Sequence, residues 1–382
     1  MDKIIFSNKI LYEKYSIIPE CERCCLLTLA KDWVKRKPFK NRKVLLNCHL
    51  TLVTLIMLDL LQLAGAEISA IGTSELTIHD DIVDVIKKSG ITYLMEETLL
   101  EKQKNKYFDI LFDCGAGLLN IIYPKYGTAE LTHCYGKSYA NASYPIINVD
   151  DTFIKEIETH YGTGDGFVRA FKHLIEGTIK FVNVHGTYNV LTIKNDPFYR
   201  NKKFILFGFG KVGSGIIWGL KRAGVTNENI YIVDLSPVAC KKAEEMNIPY
   251  IQLTHDKATL EKIKQETKDA YCIITATGIE NAVSNYFGPE DFSENLYLAN
   301  MGTPDEFGDK FSESRVMNRK KAVNFAIQYP TKVKYLDPIF QSLLISGELL
   351  ITEKLLPGLN RFPIDIDKSI LEKWQFHHQK DH

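Results

Sequence analysis

Lys203-Phe-Ile-Leu-Phe-Gly208-Phe-Gly210-Lys-Val-Gly213-Ser-Gly215 decides the fold of this chain. The unbroken apolar run reads as a strand buried on both faces, and it leads straight into a glycine-rich turn and a helix. Gly208 permits the tight turn, Gly210 lets the backbone approach a pyrophosphate, and Gly213 lets the new helix pack on its own strand. The helix N-terminus then presents unpaired N–H groups to phosphate charge. Such a glycine pattern arises by chance; its surroundings make it specific. The helical stretch Ile216–Ala223 stops at Gly224, and a second strand, Ile230-Tyr-Ile-Val, ends on Asp234. A carboxylate there accepts hydrogen bonds from the adenosine ribose and repels the additional phosphate of NADP. The stretch predicts a dinucleotide fold with NAD as cofactor, against the alternative of a purely structural glycine turn.

Working outward, Lys43–His49 reads as a buried strand, Thr51–Ala64 as a helix stopped by Gly65, and Glu67–Ile71 as a second strand. Asp80–Ser89 is a further helix, and Phe108–Asp113 a strand closed by Cys114 and Gly115. Alternation of this kind implies parallel sheet with right-handed crossovers. Gly166–Phe181 reads as a long connecting helix, followed in the cofactor domain by strands near Ala270–Ile274, Leu296–Ala299 and Ala322–Phe325. Pro338–Lys354 and Lys368–Trp374 are helical again and are expected to pack back on the first domain. The expected fold class is α/β with two Rossmann-like lobes. A substrate domain covers 1–183 and is completed by 335–382; the NAD-binding domain covers 184–334. Ligands of such sheets bind at the carboxyl ends of strands, so a cleft between the lobes is expected to hold cofactor and substrate.

At 382 residues, 45% hydrophobic, 25% charged and net charge +0, the chain has the composition of a globular protein without nucleic-acid or solvating character. The apolar run Leu52–Leu63 is too short and too polar to span a membrane. Met1–Lys9 shows no signal-peptide pattern, and a cytoplasmic location is expected. The eight cysteines are scattered apart from Cys21-Glu-Arg-Cys24-Cys25. One C-x-x-C without a second pair or a nearby His is poor support for zinc, so no metal is expected and free thiols are the simpler reading.

Several short stretches, in order, resemble the S-adenosylhomocysteine hydrolase family. Lys37-Pro-Phe-Lys-Asn-Arg-Lys-Val-Leu-Leu-Asn-Cys-His49-Leu-Thr51 is similar to the family's entry into its substrate domain, and Leu76-Thr-Ile-His-Asp80-Asp81 to its S-T-Q-D-D segment. Pro145-Ile-Ile-Asn148-Val-Asp150-Asp151 resembles its P-A-I-N-V-N-D stretch. The glycine loop, with Lys211 and Val212, resembles G-Y-G-D-V-G-K-G, with Asp234 where the family carries Glu. Thr275-Ala-Thr277-Gly278, Asn300-Met-Gly302 and Val323-Asn324 resemble its T-T-G, N-I-G and V-N-I-K-P-Q turns. The resemblance implies tightly held NAD that oxidises the ribose 3′-hydroxyl of a nucleoside. A base then removes the acidified C4′ proton, the 5′ substituent leaves, water adds and the hydride returns. It also implies a homo-oligomer; a tail lacking the family's glycine-rich closing segment favours a dimer.

The departures fall on the proton-handling set. The family's D-D-G-G-D becomes Asp113-Cys114-Gly115-Ala116-Gly117, and its E-E-T-T-T-G survives only as Glu130-Leu-Thr132-His-Cys-Tyr-Gly136. In K-S-K-F-D-N only Lys155 remains, with Ile157, Thr159 and His160 in the other places; Thr303 follows Gly302, and Val53 stands where a Glu contacts adenine. Catalytic candidates are therefore His49, Glu130, Lys155 and His160, the last as a substitute base. Substrate-binding candidates are Thr51, Asp113 and Asp151. Each has a plainer reading: a hydrogen-bonded His at a strand end, a helix N-cap for Thr51, turn-making for Asp113, a solvated helix face for Lys155, and capping of a helix starting at Thr152 for Asp150 and Asp151. Cys114 is a reactive thiol or a small buried filler. The expected function is NAD-dependent oxidation of a secondary alcohol of a nucleoside-like small molecule. Alternatives are a non-catalytic NAD- or nucleoside-binding regulator, and a true hydrolase with substitute residues.

Overall fold

A computed structural model describes residues 6–73, 78–95, 107–132, 139, 141–177 and 190–378. The chain forms two compact units. The first starts with helices α1 (Lys9–Tyr15) and α2 (Cys24–Arg36). Strand β1 (Lys43–Cys48) follows, then helix α3 (Leu52–Leu63), whose start is fixed by a capping box between Thr51 and Thr54. β2 (Glu67–Gly72), α4 (Asp80–Lys88) and the short β3 (Thr92–Tyr93) complete one side of the sheet. β4 (Ile110–Asp113), β5 (Gly127–Glu130) and β6 (Pro145–Asn148) extend the other. All these strands pair in parallel, and β4 and β5 are buried along their whole length, as a sheet covered on both faces requires.

The second unit opens with a π-helical stretch, Ile157–Gly162, that runs into helix α5 (Thr163–Glu176), which ends at Gly177 in the left-handed conformation. The helix thus begins earlier than Gly166, and the end expected at Phe181 lies outside the described residues. Of the described residues, those up to Lys155 go with the first unit and 156–177 with the second; position 183, where the sequence reading places the boundary, lies outside them. The reason is packing between small residues. A Cβ on Gly164 would collide with Gly215 O, and one on Gly219 with Gly164 O, so α5 lies directly against helix α6 (Lys211–Ala223).

Around these helices runs a five-stranded parallel sheet, β7 (Phe204–Phe207), β8 (Ile230–Asp234), β9 (Tyr250–Gln252), β10 (Cys272–Thr275) and β11 (Tyr297–Asn300), in the order β11-β10-β7-β8-β9. Helices α7 (Pro237–Glu245) and α8 (Lys257–Thr267) make the crossovers. Along β7 the side chains alternate between two cores. Phe204 and Leu206 join Ile216, Leu220 and Phe171, while Ile205 and Phe207 join Ile273, Phe287 and Leu298. The strand expected at Ala322–Phe325 is instead a 3₁₀ turn, Val323–Ala326. Val323 is buried in the core that contains Phe167 and Phe171 rather than paired at the sheet edge; so short an apolar run does not tell strand from helix.

The chain then returns to the first unit as α9 (Val333–Thr352), β12 (Gly358–Arg361) and α10 (Ile364–His378). β12 pairs with β6, giving the order β12-β6-β5-β4-β1-β2-β3. Gly347 on α9 admits the Phe112 ring, which meets Phe39 and, through it, Trp33. Among the described residues no helix is long and apolar enough to cross a membrane.

Candidate functional site

In the second unit, Gly208 follows β7 with φ +92, a conformation suited to glycine, and a Cβ there would stand 2.6 Å from Ala276 O. Gly210 has nothing within 4 Å of where a Cβ would be, and the N-terminus of α6 follows it directly. These residues, with Asp234, Ser236, Lys242, Ala276 and Thr277, line a cavity of about 650 Å³ at the carboxyl ends of β7, β8 and β10. Asp234 accepts Phe209 N at 2.6 Å through Oδ2 and Ser236 N at 2.7 Å through Oδ1. Each oxygen keeps a further lone pair to accept from ribose hydroxyls, so the cavity fits a dinucleotide.

Other expected cofactor residues serve the walls instead of the cavity. Gly213 packs against Gly208 O, and Lys211 and Val212 open α6. Thr275 Oγ1 donates to Asn300 Oδ1 at 3.1 Å. Asn300 ties its own loop by accepting Gly302 N and donating to Pro304 O and Lys320 O. Asn324 is buried on the 3₁₀ turn, close to Gly166. Sequence reasoning missed Glu306. Its fully buried carboxylate accepts Thr277 N at 2.9 Å and Gly278 N at 2.6 Å, and burial raises its pKa. It also missed Lys242, whose ammonium bonds Ser214 Oγ at 2.7 Å and faces the Phe209 ring. A lysine within an ordinary amphipathic helix carries no signal of that placement.

In the first unit, neighbouring parallel strands deliver the other candidates at their carboxyl ends: His49 after β1, Asp113 and Cys114 at β4, Glu130 at β5 and Asp150 after β6. Two of these acids are consumed by the fold. Glu130 accepts Gly115 N (2.7 Å), Ala116 N (3.1 Å), Thr132 N (2.9 Å), Thr132 Oγ1 (3.1 Å) and Tyr139 OH (2.6 Å), which exhausts a carboxylate's lone pairs. Asp113 accepts Asn47 Nδ2 at 2.6 Å, Cys114 N at 2.9 Å and Leu118 N at 3.0 Å. Burial, followed by the Glu130 charge, pushes its pKa up to about 7.

What remains for chemistry is a cluster of three groups. Cys114 Sγ lies 3.7 Å from His49 Nε2 and 4.0 Å from Thr132 Oγ1. Burial, then the Lys155 charge, push His49 down to about 4, so its ring is neutral at physiological pH. Burial raises the Cys114 thiol, and the pair is therefore thiol and imidazole rather than an ion pair. Lys155 is buried, donates to Leu131 O at 3.1 Å and lies 3.8 Å from Asp150 Oδ1. Thr51 is the N-cap of α3. Asp151 is exposed on a turn, and the expected helix start at Thr152 is corrected: Asp367, from α10, accepts the N–H groups of Phe153 and Ile154. His160 belongs to the second unit, on the π-helix beside Tyr161 and Trp218, where burial followed by Lys242 lowers its pKa.

The glycine turn, the acid ending the second strand and the strand order define an NAD-binding Rossmann unit. Residues 204–286 match the TrkA-N domain. Over 306 residues the chain is 24% identical to an adenosylhomocysteinase of Thermococcus kodakarensis, covering 72% of this chain and 62% of that protein. It is 21% identical to an S-inosyl-L-homocysteine hydrolase of Methanopyrus kandleri, covering 88% of this chain and 84% of that one. A glyoxylate reductase structure superposes at a TM-score of 0.42 and 10% identity, covering 83% of this chain and 98% of that chain; the fold assignment rests on the sheets described above. The chain is similar to the adenosylhomocysteinases over most of its length, and NAD is its cofactor.

Proposed function

We propose that the protein uses NAD to oxidise a secondary alcohol of a nucleoside-like substrate, in a reaction other than ordinary hydrolysis of S-adenosylhomocysteine. The supporting observation is a glycine-walled cavity lined by Asp234, kept while Glu130 is saturated by internal hydrogen bonds and Asp113 is engaged by three of them. NAD, when bound, supplies the hydride acceptor. Asp234 holds the adenosine ribose, and Gly210 admits the pyrophosphate to the α6 N-terminus. His49, neutral at working pH, accepts the alcohol proton at Nε2; burial, and after it the Lys155 ammonium, keeps it from protonating beforehand. The carboxylates that would extend this into elimination and hydration are spent. A substrate with a base other than adenine fits the loss of the adenine-contacting Glu at Val53, and the inosyl name of one relative points the same way.

The test mixes purified NAD-loaded protein with adenosine, inosine, their homocysteine thioethers and a nucleoside panel, while the absorbance of reduced nicotinamide is followed. Stoichiometric reduction that drops roughly 10²–10⁴-fold in rate in His49→Asn supports the reading. Nucleoside binding without reduction rejects it in favour of a non-catalytic sensor. One observation favours that second reading: Glu306 holds the Thr277 and Gly278 amides that the resemblance assigns to the cofactor.

A further inference from the structure

Pro338 interrupts α9 and has no N–H to offer the carbonyl one turn earlier. That carbonyl, Lys334 O, is taken instead by Trp374 Nε1 at 2.6 Å, which fixes α10 against α9. His378 stands one turn beyond Trp374, its ring 5.1 Å from the indole, and it lies close enough to Cys24 to act on the thiol electrostatically. Asp337, just before the proline, accepts Cys25 N at 2.7 Å and Leu26 N at 2.9 Å, so it caps the start of α2. Three chain segments that are remote in sequence thereby converge on Cys24 and Cys25.

The resulting distances are those of a coordination polyhedron. Cys24 Sγ lies 3.9 Å from Cys25 Sγ and 3.6 Å from Asp337 Oδ2. With Zn–S near 2.3 Å and Zn–O near 2.0 Å, the edges of a tetrahedron are roughly 3.8 Å for S–S and 3.5 Å for S–O. The ligand atoms of Cys24, Cys25 and Asp337 all lie within 4.8 Å of one another. Cys25 and Asp337 are fully buried, and Cys24 and His378 nearly so. Two sulfurs and one carboxylate form a set that suits zinc and excludes magnesium or calcium, and the buried His378 beside Cys24 is the nearby candidate for a fourth ligand.

We propose that Cys24, Cys25 and Asp337 form a structural zinc site that ties the end of the chain to α2, with His378 drawn in as the fourth ligand when the metal binds. On binding, Zn²⁺ displaces the thiol protons of Cys24 and Cys25 to solvent and takes the Asp337 Oδ2 lone pair that faces Cys24. Two thiolates and a carboxylate leave the complex with one net negative charge. The N-terminus of α2 opposes that charge. The C-x-x-C spacing plays no part, because Cys21 is exposed. Adjacent cysteines carry no metal signature in a sequence, and the other two ligands are separated from them by most of its length.

The full chain, purified without chelator and dialysed, should carry about one equivalent of zinc by plasma mass spectrometry. The apo form titrated with Co²⁺ should show intense tetrahedral d–d absorption and a sulfur-to-cobalt band. His378→Gln, near the chain end and mild for folding, should weaken Co²⁺ binding by roughly tenfold or more. The paired Cys24→Ser, Cys25→Ser change should abolish the sulfur band. Failure of wild-type protein to hold zinc and to give the cobalt spectrum overturns the proposal, as does a cobalt spectrum unchanged in both variants. A Cys24–Cys25 disulfide in the freshly isolated protein would overturn it too.

Discussion

Asp234 sits in the same cavity as Lys242, and the two exert opposite pulls on a ribose substituent. Replacing the acid by a hydroxyl removes a charge-assisted acceptor and leaves the ammonium in place. Asp234→Ser should weaken NAD about tenfold and tighten NADP, moving their ratio by roughly 10- to 100-fold in calorimetric titrations. An unchanged ratio would remove Asp234 from cofactor choice. This residue was legible because the strand–turn–helix–strand grammar places it. Glu130 and Asp113 were not. Their type and position were right for a site, but their partners are the amides of a tight turn and the Tyr139 hydroxyl, which no spacing reveals. Glu306 was hidden for the same reason, lying in an irregular loop whose backbone path decides what it caps.

Between elements, the second unit depends on close approach of α5, α6 and the π-helix. A Cβ on Gly215 would run into His160 O. Gly215→Ala should therefore cost about 1–3 kcal/mol of stability and lower the thermal midpoint by several degrees. Gly210→Ala is the contrast, with negative φ and no atom within 4 Å of the new Cβ. It should melt like wild type while binding NAD more weakly, because the methyl occupies the pyrophosphate approach. Equal melting of both variants would discount the packing argument. At this scale the apolar strands β1, β4, β7 and β8 could be read directly from the sequence. β12 could not: as an edge strand of sequence Gly-Leu-Asn-Arg it holds its place by backbone pairing to β6 and shows no apolar alternation.

Across the whole molecule, buried titratable groups set how stability follows pH. Asp113 is raised to about 7 when folded, against about 3.9 unfolded. Between those values the folded state holds more protons than the unfolded one, so this group's contribution falls as pH rises through that window. His49, lowered to about 4, acts in the opposite sense, since the unfolded state binds more protons up to about pH 6.5. Urea unfolding of wild type and Asp113→Asn should separate the two. The advantage of wild type over the variant should be larger near pH 5 than near pH 8. A gap independent of pH would show that Asp113 does not titrate in the folded protein.

The pairing of β12 with β6 also has a bearing on biosynthesis. A ribosome delivers β6 early and must translate the entire inserted cofactor unit before β6 receives its neighbour. During that interval the nascent first unit carries a bare strand margin, the kind of surface that holdase chaperones cover and that aggregation exploits. The inserted unit has its own closed core and is free to mature first. Premature stop codons between Lys332 and Gly358 should therefore yield a polypeptide with one sound half and one half prone to precipitate.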